Sequence, residues 1–560
     1  MLWRRFPRLA WMDGYQRGWL RGDLLAGVTI TAYLVPQVMA YAEVAGLPAV
    51  AGLWASVGAL LAYAVLGSSP QLSVGPESTT ALMTAAALGS LGVMSAGKYA
   101  EFASALCLVV AGLCFLGWLG TLSVLAELLS RPVLVGYMTG VAAIMIASQL
   151  GKLGGFPVDA DGFLEEIAYF ARHLDQVHPP TLVLGGVTLV LLVLCSAVFP
   201  RAPVALLGML GAAGAVYLLD LQARGVAVIG EIPAGLPVPA LPHVTVAEVV
   251  ELLPAALGVA LVGYTDNILT ARSFAARRHA SIDPKRELLA LGAANLGSGL
   301  MHGFPVSSSG SRTAIGDAVG GRTQLTGLVT VVATVITVFT LRPVLAFFPT
   351  AALGAVVIYA ALRLIDIGEF GRLARFRRSE LLIALATTAL VLVVGVLQGV
   401  LVAVGLSVLD LLRRVARPHD AIEGLVPDVA GMHDVDDFPD AVLVPGLLVY
   451  RYDSPLFFAN AEDFLTRARA AVNASEVPVR WFLLNTEAIV EVDITAVDAL
   501  ESLRRELTDR GIVFACARMK QDLRSDLAPS GLLDRIGEDR VFPTLPTALE
   551  AYQRWRVEQD

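Results

Sequence analysis

The chain has 560 residues, of which 56% are apolar and only 16% are charged, and its mean hydropathy is +0.67. This composition excludes an ordinary soluble globular protein and predicts a polytopic α-helical membrane protein. The net charge of -8 identifies no partner, because basic and acidic residues are segregated along the chain. The four cysteines have neither metal-ligand nor disulfide spacing.

Residues 1–22 are predicted to be a cytoplasmic N-terminus, because they are rich in arginine and no secretory signal follows them. Residues 23–417 are predicted to be a transmembrane domain, in which apolar runs of bilayer length alternate with short connections. The first predicted span, 24–42, is broken by Pro36. The other predicted spans include 48–66, 99–120, 133–150, 181–199, 204–219, 249–271, 325–341, 351–365, 381–396 and 397–412.

Segment 301–315 lies in the middle of a long apolar region, but its own sequence interrupts the helical pattern. It has a turn at Gly303 and Pro305, then a run of serines that includes Ser309, then Arg312 and small residues that favour a helix. A helix that begins at bilayer depth has unpaired N–H groups and partial positive charge at its first turn, so it attracts an anion. The pattern predicts an anion site in which Arg312 is the one strong fixed cation.

Segment 71–82 repeats this order, with a break at Gly75 and Pro76 followed by hydroxyl residues. Two interrupted segments in corresponding halves of a chain indicate a transport site between inverted repeats. Gly75 and Gly303 are expected to let the backbone approach the ligand. The alternative is that both segments are loops with ordinary Ser or Thr helix caps. If both cross the bilayer, the chain has about fourteen crossings.

Polar residues inside spans usually face a cavity or the interior of the bundle. The first span carries Tyr33, Gln37 and Glu43, and span 249–271 carries Asp266 and Thr270 near its end. A carboxylate inside a bilayer is costly, which suits a group that takes up a proton or a cation. Alternatively, Asp266 is neutralised by Arg312 or lies at the cytoplasmic interface.

Basic clusters indicate which ends of the spans are cytoplasmic. With both ends of the membrane part inside, the number of crossings is even, as fourteen is. The clusters are Arg4, Arg5, Arg8, Arg17 and Arg21; Arg272, Arg277, Arg278, Lys285 and Arg286; Arg372, Arg375, Arg377 and Arg378; and Arg413, Arg414 and Arg417.

Residues 418–560 differ in composition from the membrane part. Strand-like runs at 441–452, 480–485 and 511–517 alternate with helical patterns at 461–472 and 495–510. Alternating strands and helices predict a small α/β domain, which lacks a span and is expected in the cytoplasm.

Several motifs in order resemble the SulP family of anion transporters, often called sulfate permeases, and the tail resembles the STAS domain that follows in that family. The resemblance covers nearly the whole chain. The matching motifs are GDLLAG at 22–27, VPQVMAYA at 35–42, AGLP at 45–48, QLSVGP at 71–76, GFP at 303–305, SR at 311–312 and GGRTQL at 320–325.

The resemblance implies two intertwined inverted repeats of seven segments, divided into a core that moves and a gate that forms a homodimer contact. It places an anion between the N-termini of the third and tenth segments, and it assigns a coupling proton or sodium ion to Asp266 and Thr270. The implied substrate-binding residues are Gln37, Gly75, Pro76, Glu77, Ser78, Ser309, Ser311 and Arg312. Glu77 differs from the others because an ionised carboxylate repels an anion. It would have to be protonated, paired with a cation or turned away from the site.

The predicted function is secondary active transport of a small anion across the plasma (inner) membrane by alternating access, with sulfate favoured by the family name. Bicarbonate, a dicarboxylate, or an anion channel or sensor of the same fold are the alternatives. No cofactor beyond the coupling ion and no nucleic-acid partner is expected. An enzyme is not supported, because the seven histidines are scattered without a nucleophile or metal spacing.

The tail is expected to lack a phosphorylation switch. In soluble STAS proteins a kinase-accepting hydroxyl follows the Asp that opens the second helix, but Ala499 and Leu500 occupy the matching positions. Thr495 is the nearest hydroxyl, and the run Asp493 to Thr495 before an apolar stretch predicts a helix cap.

Overall fold

The computed structural model describes residues 11–12, 15–92, 94–120, 130–158, 160, 162–199, 202–233, 235–276 and 281–559. The chain divides into two compact units between Ser407 and Val408. Five arginines of the charge argument lie outside the described residues: Arg4, Arg5, Arg8, Arg277 and Arg278.

The first unit is built from helices, which satisfy their own backbone hydrogen bonds in lipid. The described residues up to 220 form α1 Leu20–Val44, α2 Ala49–Leu66, β1 Val74–Gly75, α3 Ser78–Gly89, α4 Ala96–Leu119, α5 Arg131–Ser148, α6 Leu150–Gly154, α7 Phe163–Arg172, α8 Pro179–Val198 and α9 Val204–Leu218.

The later part of this unit follows the same plan. Its elements, the last of which runs past residue 407, are α10 Val246–Ala276, α11 Pro284–Leu300, β2 Ser307–Ser308, α12 Gly310–Val319, α13 Leu325–Thr340, α14 Arg342–Ala346, α15 Thr350–Leu362, α16 Ile367–Phe376, α17 Arg378–Val394 and α18 Val396–Ala416. Six helices among the described residues are long and apolar enough to cross a membrane, and three shorter apolar helices accompany them. The predicted polytopic helical class is confirmed, and the count of fourteen crossings stays a prediction.

The helices of the first unit sort into two bundles by their contacts. Helices α1–α4 pack with α10–α13, and we call this set the first bundle. Helices α5–α9 pack with α15–α17 and form the second bundle. Helix α1 also contacts α9 and α15, so it lies along the boundary between the bundles.

The second unit is an α/β domain with one six-stranded sheet, in the order β4-β3-β5-β6-β7-β8. Strand β3 pairs antiparallel with β4 and β5, and the remaining pairs are parallel. The elements are β3 Asp420–Leu425, β4 Met432–Asp434, β5 Leu447–Tyr452, α19 Ala461–Ala474, β6 Trp481–Asn485, α20 Ile494–Asp509, β7 Val513–Ala517, α21 Gln521–Leu527, α22 Leu532–Ile536, β8 Val541–Phe542 and α23 Leu545–Gln559.

The alternation of strands and helices in this unit agrees with the sequence prediction. Every residue of β6 is buried, as expected for a parallel strand covered on both faces. The predicted strand 441–452 is shorter, because it begins at Leu447. Asp493 caps α20 by accepting a hydrogen bond from the Ala496 N–H at 2.8 Å, which confirms the predicted cap.

Glu501 on α20 supports one prediction about stability. Its carboxylate accepts hydrogen bonds from Arg504 and Arg505 and lies 3.3 Å from Arg535 Nε, and this positive surround, chiefly Arg504, lowers its pKa from 4.5 to about 2. Because the folded pKa is depressed, the stabilisation is present above pH ~4.5 and is lost as the pH falls toward ~2. Glu501→Gln should therefore lower the free energy of unfolding of a fragment 418–560 by about 1–2 kcal/mol at pH 7.

Urea titration of that fragment at several pH values checks the prediction. The wild type and the Glu501→Gln variant should converge in stability as the pH approaches about 2. A gap in stability that stays constant across this range would show that the carboxylate's charge contributes nothing.

Candidate functional site

The two interrupted segments meet in the middle of the first bundle. Strands β1 and β2 pair antiparallel, with Val74 opposite Ser308 and Gly75 opposite Ser307. Helix α3 begins three residues after β1, and α12 begins two residues after β2. The N-termini of two helices from different halves of the chain are thereby brought together, and the partial positive charges of both point into one region.

Hydrogen bonds from buried side chains hold the extended segment before α12. Asn295 accepts from the Val306 N–H at 3.0 Å and donates to the Val306 carbonyl at 3.1 Å. The Ser298 hydroxyl donates to the Phe304 carbonyl at 2.7 Å. These polar side chains of α11 replace the backbone partners that the break removes, as buried polar groups require.

Gly303 packs closely against the neighbouring helices, and its predicted part in ligand approach stays a prediction. A Cβ at this position would lie 2.5 Å from Ser298 Oγ and 2.6 Å from Ala55 Cβ. The glycine therefore allows close packing of the turn against α2 and α11. Its neighbours could be identified only from the fold, since Ala55 lies far away in the sequence.

A cavity of about 310 Å³ lies between the two bundles at this meeting point. Its walls come from α1, α3, α10 and α12 of the first bundle and from α5, α9 and α15 of the second. Six predicted site residues line it: Gln37, Glu77, Ser78, Asp266, Thr270 and Ser311. Four others are absent from the lining: Gly75, Pro76, Ser309 and Arg312.

Arg312 is fully buried behind the cavity wall. Its Nη2 donates to the Pro76 carbonyl at 3.0 Å, and its Nη1 lies 3.7 Å from Glu77 Oε2. The Glu77 side chain is 16% exposed and lines the cavity. The arginine is thus the cation that pairs with Glu77, one of the alternatives that the sequence left open for that carboxylate.

Asp266 lies at the cavity on α10. Its Oδ2 accepts a hydrogen bond from the Ser308 hydroxyl at 3.0 Å. Thr270 follows one helical turn later and lines the same cavity. Among the described contacts Arg312 pairs with Glu77 and not with Asp266, so the carboxylate of Asp266 and the hydroxyls of Ser308 and Thr270 together present oxygen atoms to the cavity.

Several lining residues were missed by the sequence argument. Tyr41 belongs with Tyr33 and Gln37, because the spacing of four residues puts all three on one face of α1; this signal was available in the sequence. Tyr359 in α15 and Arg363, which directly follows that helix, are also four residues apart, but only the packing of α15 against α1 brings them to the cavity. Arg363 is the basic residue among the described lining residues.

Comparisons with known proteins agree with this architecture. Residues 20–387 match the model of the Sulfate permease family, and residues 438–548 match the STAS domain. The chain is 56% identical to a probable sulfate transporter of Mycobacterium tuberculosis over 548 residues, and this alignment covers 98% of each protein. It is 29% identical to the chloroplastic sulfate transporter 4.1 of Arabidopsis thaliana, over 97% of this chain and 82% of the relative.

Solved structures share the fold. The murine solute carrier 26 family member A9 anion transporter, in its inward-facing state, superposes with a TM-score of 0.91 at 22% identity and covers 99% of this chain and 94% of its own. The transmembrane domain of the cyanobacterial bicarbonate transporter BicA superposes with a TM-score of 0.62 at 23% identity and covers 70% of this chain and 98% of its own.

These relatives are transporters and not enzymes, which agrees with the prediction from the scattered histidines. The family match covers most of the membrane unit, and the identity to the mycobacterial relative extends over nearly the whole chain. The protein is an anion transporter of the sulfate permease family, with a C-terminal STAS domain.

Proposed function

We propose that the protein carries sulfate, or an oxyanion of similar size and charge, through the cavity between the two bundles. The observation that supports this most is the convergence of two helix N-termini, those of α3 and α12, on one cavity. Unpaired N–H groups and helix dipoles favour an anion there. The hydroxyls of Ser78, Thr79 and Ser311 add donors that suit the oxygen atoms of an oxyanion.

The name of the mycobacterial relative supports sulfate over other anions. Bicarbonate and small dicarboxylates have similar oxygen acceptors, so the cavity chemistry alone favours none of them. The Glu77 carboxylate in the cavity lining disfavours anions unless its charge is balanced, and Arg312 supplies that balance.

Transport is proposed to be coupled to a proton or a sodium ion at Asp266. The support is geometric: one carboxylate and the hydroxyls of Ser308 and Thr270 face the cavity where the anion would lie. Oxygen ligands of this kind suit a small hard cation, and a single carboxylate equally suits a proton. A cation bound there would offset the charge of the incoming anion.

The proposed mechanism is alternating access by movement of the first bundle against the second. An ion pair supports it: Glu43 on α1 and Lys152 on α6 join the two bundles at 2.7 Å, with side chains 15% and 29% exposed. Arg363 is exposed and lines the anion cavity at one end of α15. Thr350, at the opposite end of α15, lines a separate cavity together with Glu43. The 13 residues of α15 separate these ends by roughly 20 Å.

If the Glu43–Lys152 ion pair holds the bundles together and closes the transporter on one side of the membrane, its removal should open that side more often. Glu43→Gln and Lys152→Gln should each speed the labelling of Leu47→Cys by a membrane-impermeant maleimide several-fold, since Leu47 is buried beside Glu43. The double exchange Glu43→Lys with Lys152→Glu should return the labelling rate toward the reference. If the cysteine introduced at position 47 labels at the same rate in all four backgrounds, each carrying Cys195→Ser, the Glu43–Lys152 ion pair does not hold this side closed.

The proposed setting is the plasma (inner) membrane, as a homodimer with both termini in the cytoplasm. The charge distribution supports the orientation, because Arg372, Arg375, Arg377 and Arg378 cluster around the junction of α16 and α17. The dimer rests on the family resemblance. Cross-linking in native membranes and protease access to terminal tags test these two points.

Uptake into proteoliposomes tests the proposed function. Labelled sulfate, bicarbonate and a dicarboxylate are offered separately, with a proton gradient, a sodium gradient or neither. We expect saturable sulfate uptake that unlabelled sulfate competes, stimulated by one of the two gradients. Saturable uptake of bicarbonate or dicarboxylate alone would reassign the substrate, and stimulation by neither gradient would remove the coupling.

A further inference from the structure

Arg363 stands at the junction of two cavities. The anion cavity, of about 310 Å³, adjoins a second cavity of about 300 Å³. Both are lined by Tyr33, Val204, Ser311, Ile315, Tyr359 and Arg363. An ion that passes between them therefore passes the guanidinium of Arg363.

The second cavity offers an anion little else. Its remaining described lining comes from the end of α8, the segment between α8 and α9, and α12. This lining is mostly apolar: Ser196, Phe199, Ala202, Ala314, Ala318 and Val319. An anion that leaves water for such a passage loses solvation, and a fixed cation offsets that cost. Arg363 is the only basic side chain among the described residues that line either cavity.

The contact of Arg363 with Tyr359 arranges a second donor beside the first. Arg363 Nη1 donates to the Tyr359 hydroxyl oxygen at 2.7 Å, and the guanidinium carbon lies 5.7 Å from the centre of the ring. The phenol accepts this bond, so its own hydrogen remains able to donate. The remaining guanidinium N–H groups and the phenol hydrogen can then address one oxyanion together.

We propose that Arg363 and Tyr359 form a second, shallower anion site, which receives a small oxyanion before it reaches the N-termini of α3 and α12. The inference rests on the proposed function, because it requires that the anion uses the cavity between the bundles. The structural alternative is that Arg363 only complements the C-terminal dipole of α15, which ends at Leu362. The anion site predicts that the charge of Arg363 makes uptake depend on salt concentration, and the helix-dipole role predicts no such dependence.

The test is the initial rate of sulfate uptake by proteoliposomes as a function of sulfate concentration and ionic strength, the latter set with gluconate salts. Arg363→Gln should raise KM by roughly tenfold with kcat within about twofold, the size expected for loss of a hydrogen bond to a charged group. It should also flatten the salt dependence of kcat/KM, since electrostatic attraction is screened by salt. Arg363→Lys keeps the charge and should restore the salt dependence.

Arg342→Gln is the control for general loss of a positive charge, because Arg342 is partly exposed, lies before α15 and lines neither cavity. It should keep the wild-type KM and salt dependence. Tyr359→Phe, which keeps the ring, should raise KM while retaining the salt dependence. Elution of each variant as a monodisperse peak confirms that it is folded.

Saturable wild-type uptake together with an unchanged KM and salt dependence in Arg363→Gln would overturn this inference alone. An equal shift in Arg342→Gln would overturn it too, because the effect would then be one of general surface charge. Absence of saturable sulfate uptake in the wild type would instead overturn the proposed function, and the inference with it.

Discussion

Arg312→Ala should reduce anion uptake by about 100-fold or more while the protein remains folded in the membrane. The guanidinium is fully buried and joins the segment before α3 to α12, through the Pro76 carbonyl and Glu77. Its removal leaves a carboxylate without its cation beside the anion cavity. A buried charge left without its partner costs about 3–5 kcal/mol in a folded protein. If a comparable cost of about 3 kcal/mol falls on the anion that binds beside the unpaired Glu77, the affinity drops by at least about 100-fold.

The companion variant separates two roles of Arg312. If the arginine acts by balancing Glu77, the pair of substitutions Arg312→Ala with Glu77→Gln should recover roughly tenfold or more of the uptake lost in Arg312→Ala. If the arginine binds the anion directly, the pair should be as inactive as the single variant. The position of Arg312 behind the wall favours recovery. Wild-type affinity in a folded Arg312→Ala protein would exclude both roles.

Asp266→Asn should abolish uptake driven by an ion gradient while leaving anion exchange largely intact. Asparagine keeps an oxygen that can accept from the Ser308 hydroxyl, so the shape of the cavity is expected to survive. The substitution removes the charge that would attract a proton or a sodium ion. We expect accumulation above equilibrium to be lost, and counter-flow of labelled anion to fall by less than about threefold.

Thr270→Val distinguishes the two candidate ions, because it removes a hydroxyl oxygen and keeps the volume of the side chain nearly constant. Sodium coupling should weaken in this variant, since sodium needs several oxygen ligands. Proton coupling should persist. Unchanged gradient-driven accumulation in Asp266→Asn would exclude Asp266 as the coupling residue, whichever ion drives transport.

The class of the fold was predictable from features that are local in sequence. Apolar runs of bilayer length predict a polytopic helical domain, and the change in composition after residue 417 predicts the α/β domain. The breaks at Gly75 and Pro305 predict the interrupted helices, because each disrupts regular helical geometry or hydrogen bonding. The pairing of β1 with β2 then brings both breaks to one place.

The direction in which individual side chains point was harder to predict from the sequence, because it depends on small rotations of short helices. Ser311 and Arg312 are neighbours, and one step along a helix turns the side chain by about 100 degrees. That step separates a cavity-lining serine from an arginine buried behind the wall. The register of α12 relative to β2 decides it, and the sequence pattern does not fix that register.

Partners far apart in the chain were also not predictable. Lys152 lies 109 residues from Glu43, and the Arg312 guanidinium contacts a carbonyl 236 residues away. The polarity of Glu43 inside an apolar span predicted that it would face other protein groups, and did not identify which. Arg363 follows an apolar helix like many interfacial arginines, so only its position between two cavities separates it from them.

The central claim is that an anion lies between the N-termini of α3 and α12. Selenate has the shape and charge of sulfate, and its selenium atom can be located by anomalous X-ray scattering from crystals grown with it. We predict one strong anomalous peak within about 5 Å of the backbone nitrogens of Ser78 and Ser311, within reach of the N–H groups that helix N-termini offer to oxyanions. A bound selenate elsewhere in the membrane unit, with this cavity free of anomalous signal in protein that transports sulfate, would contradict the account.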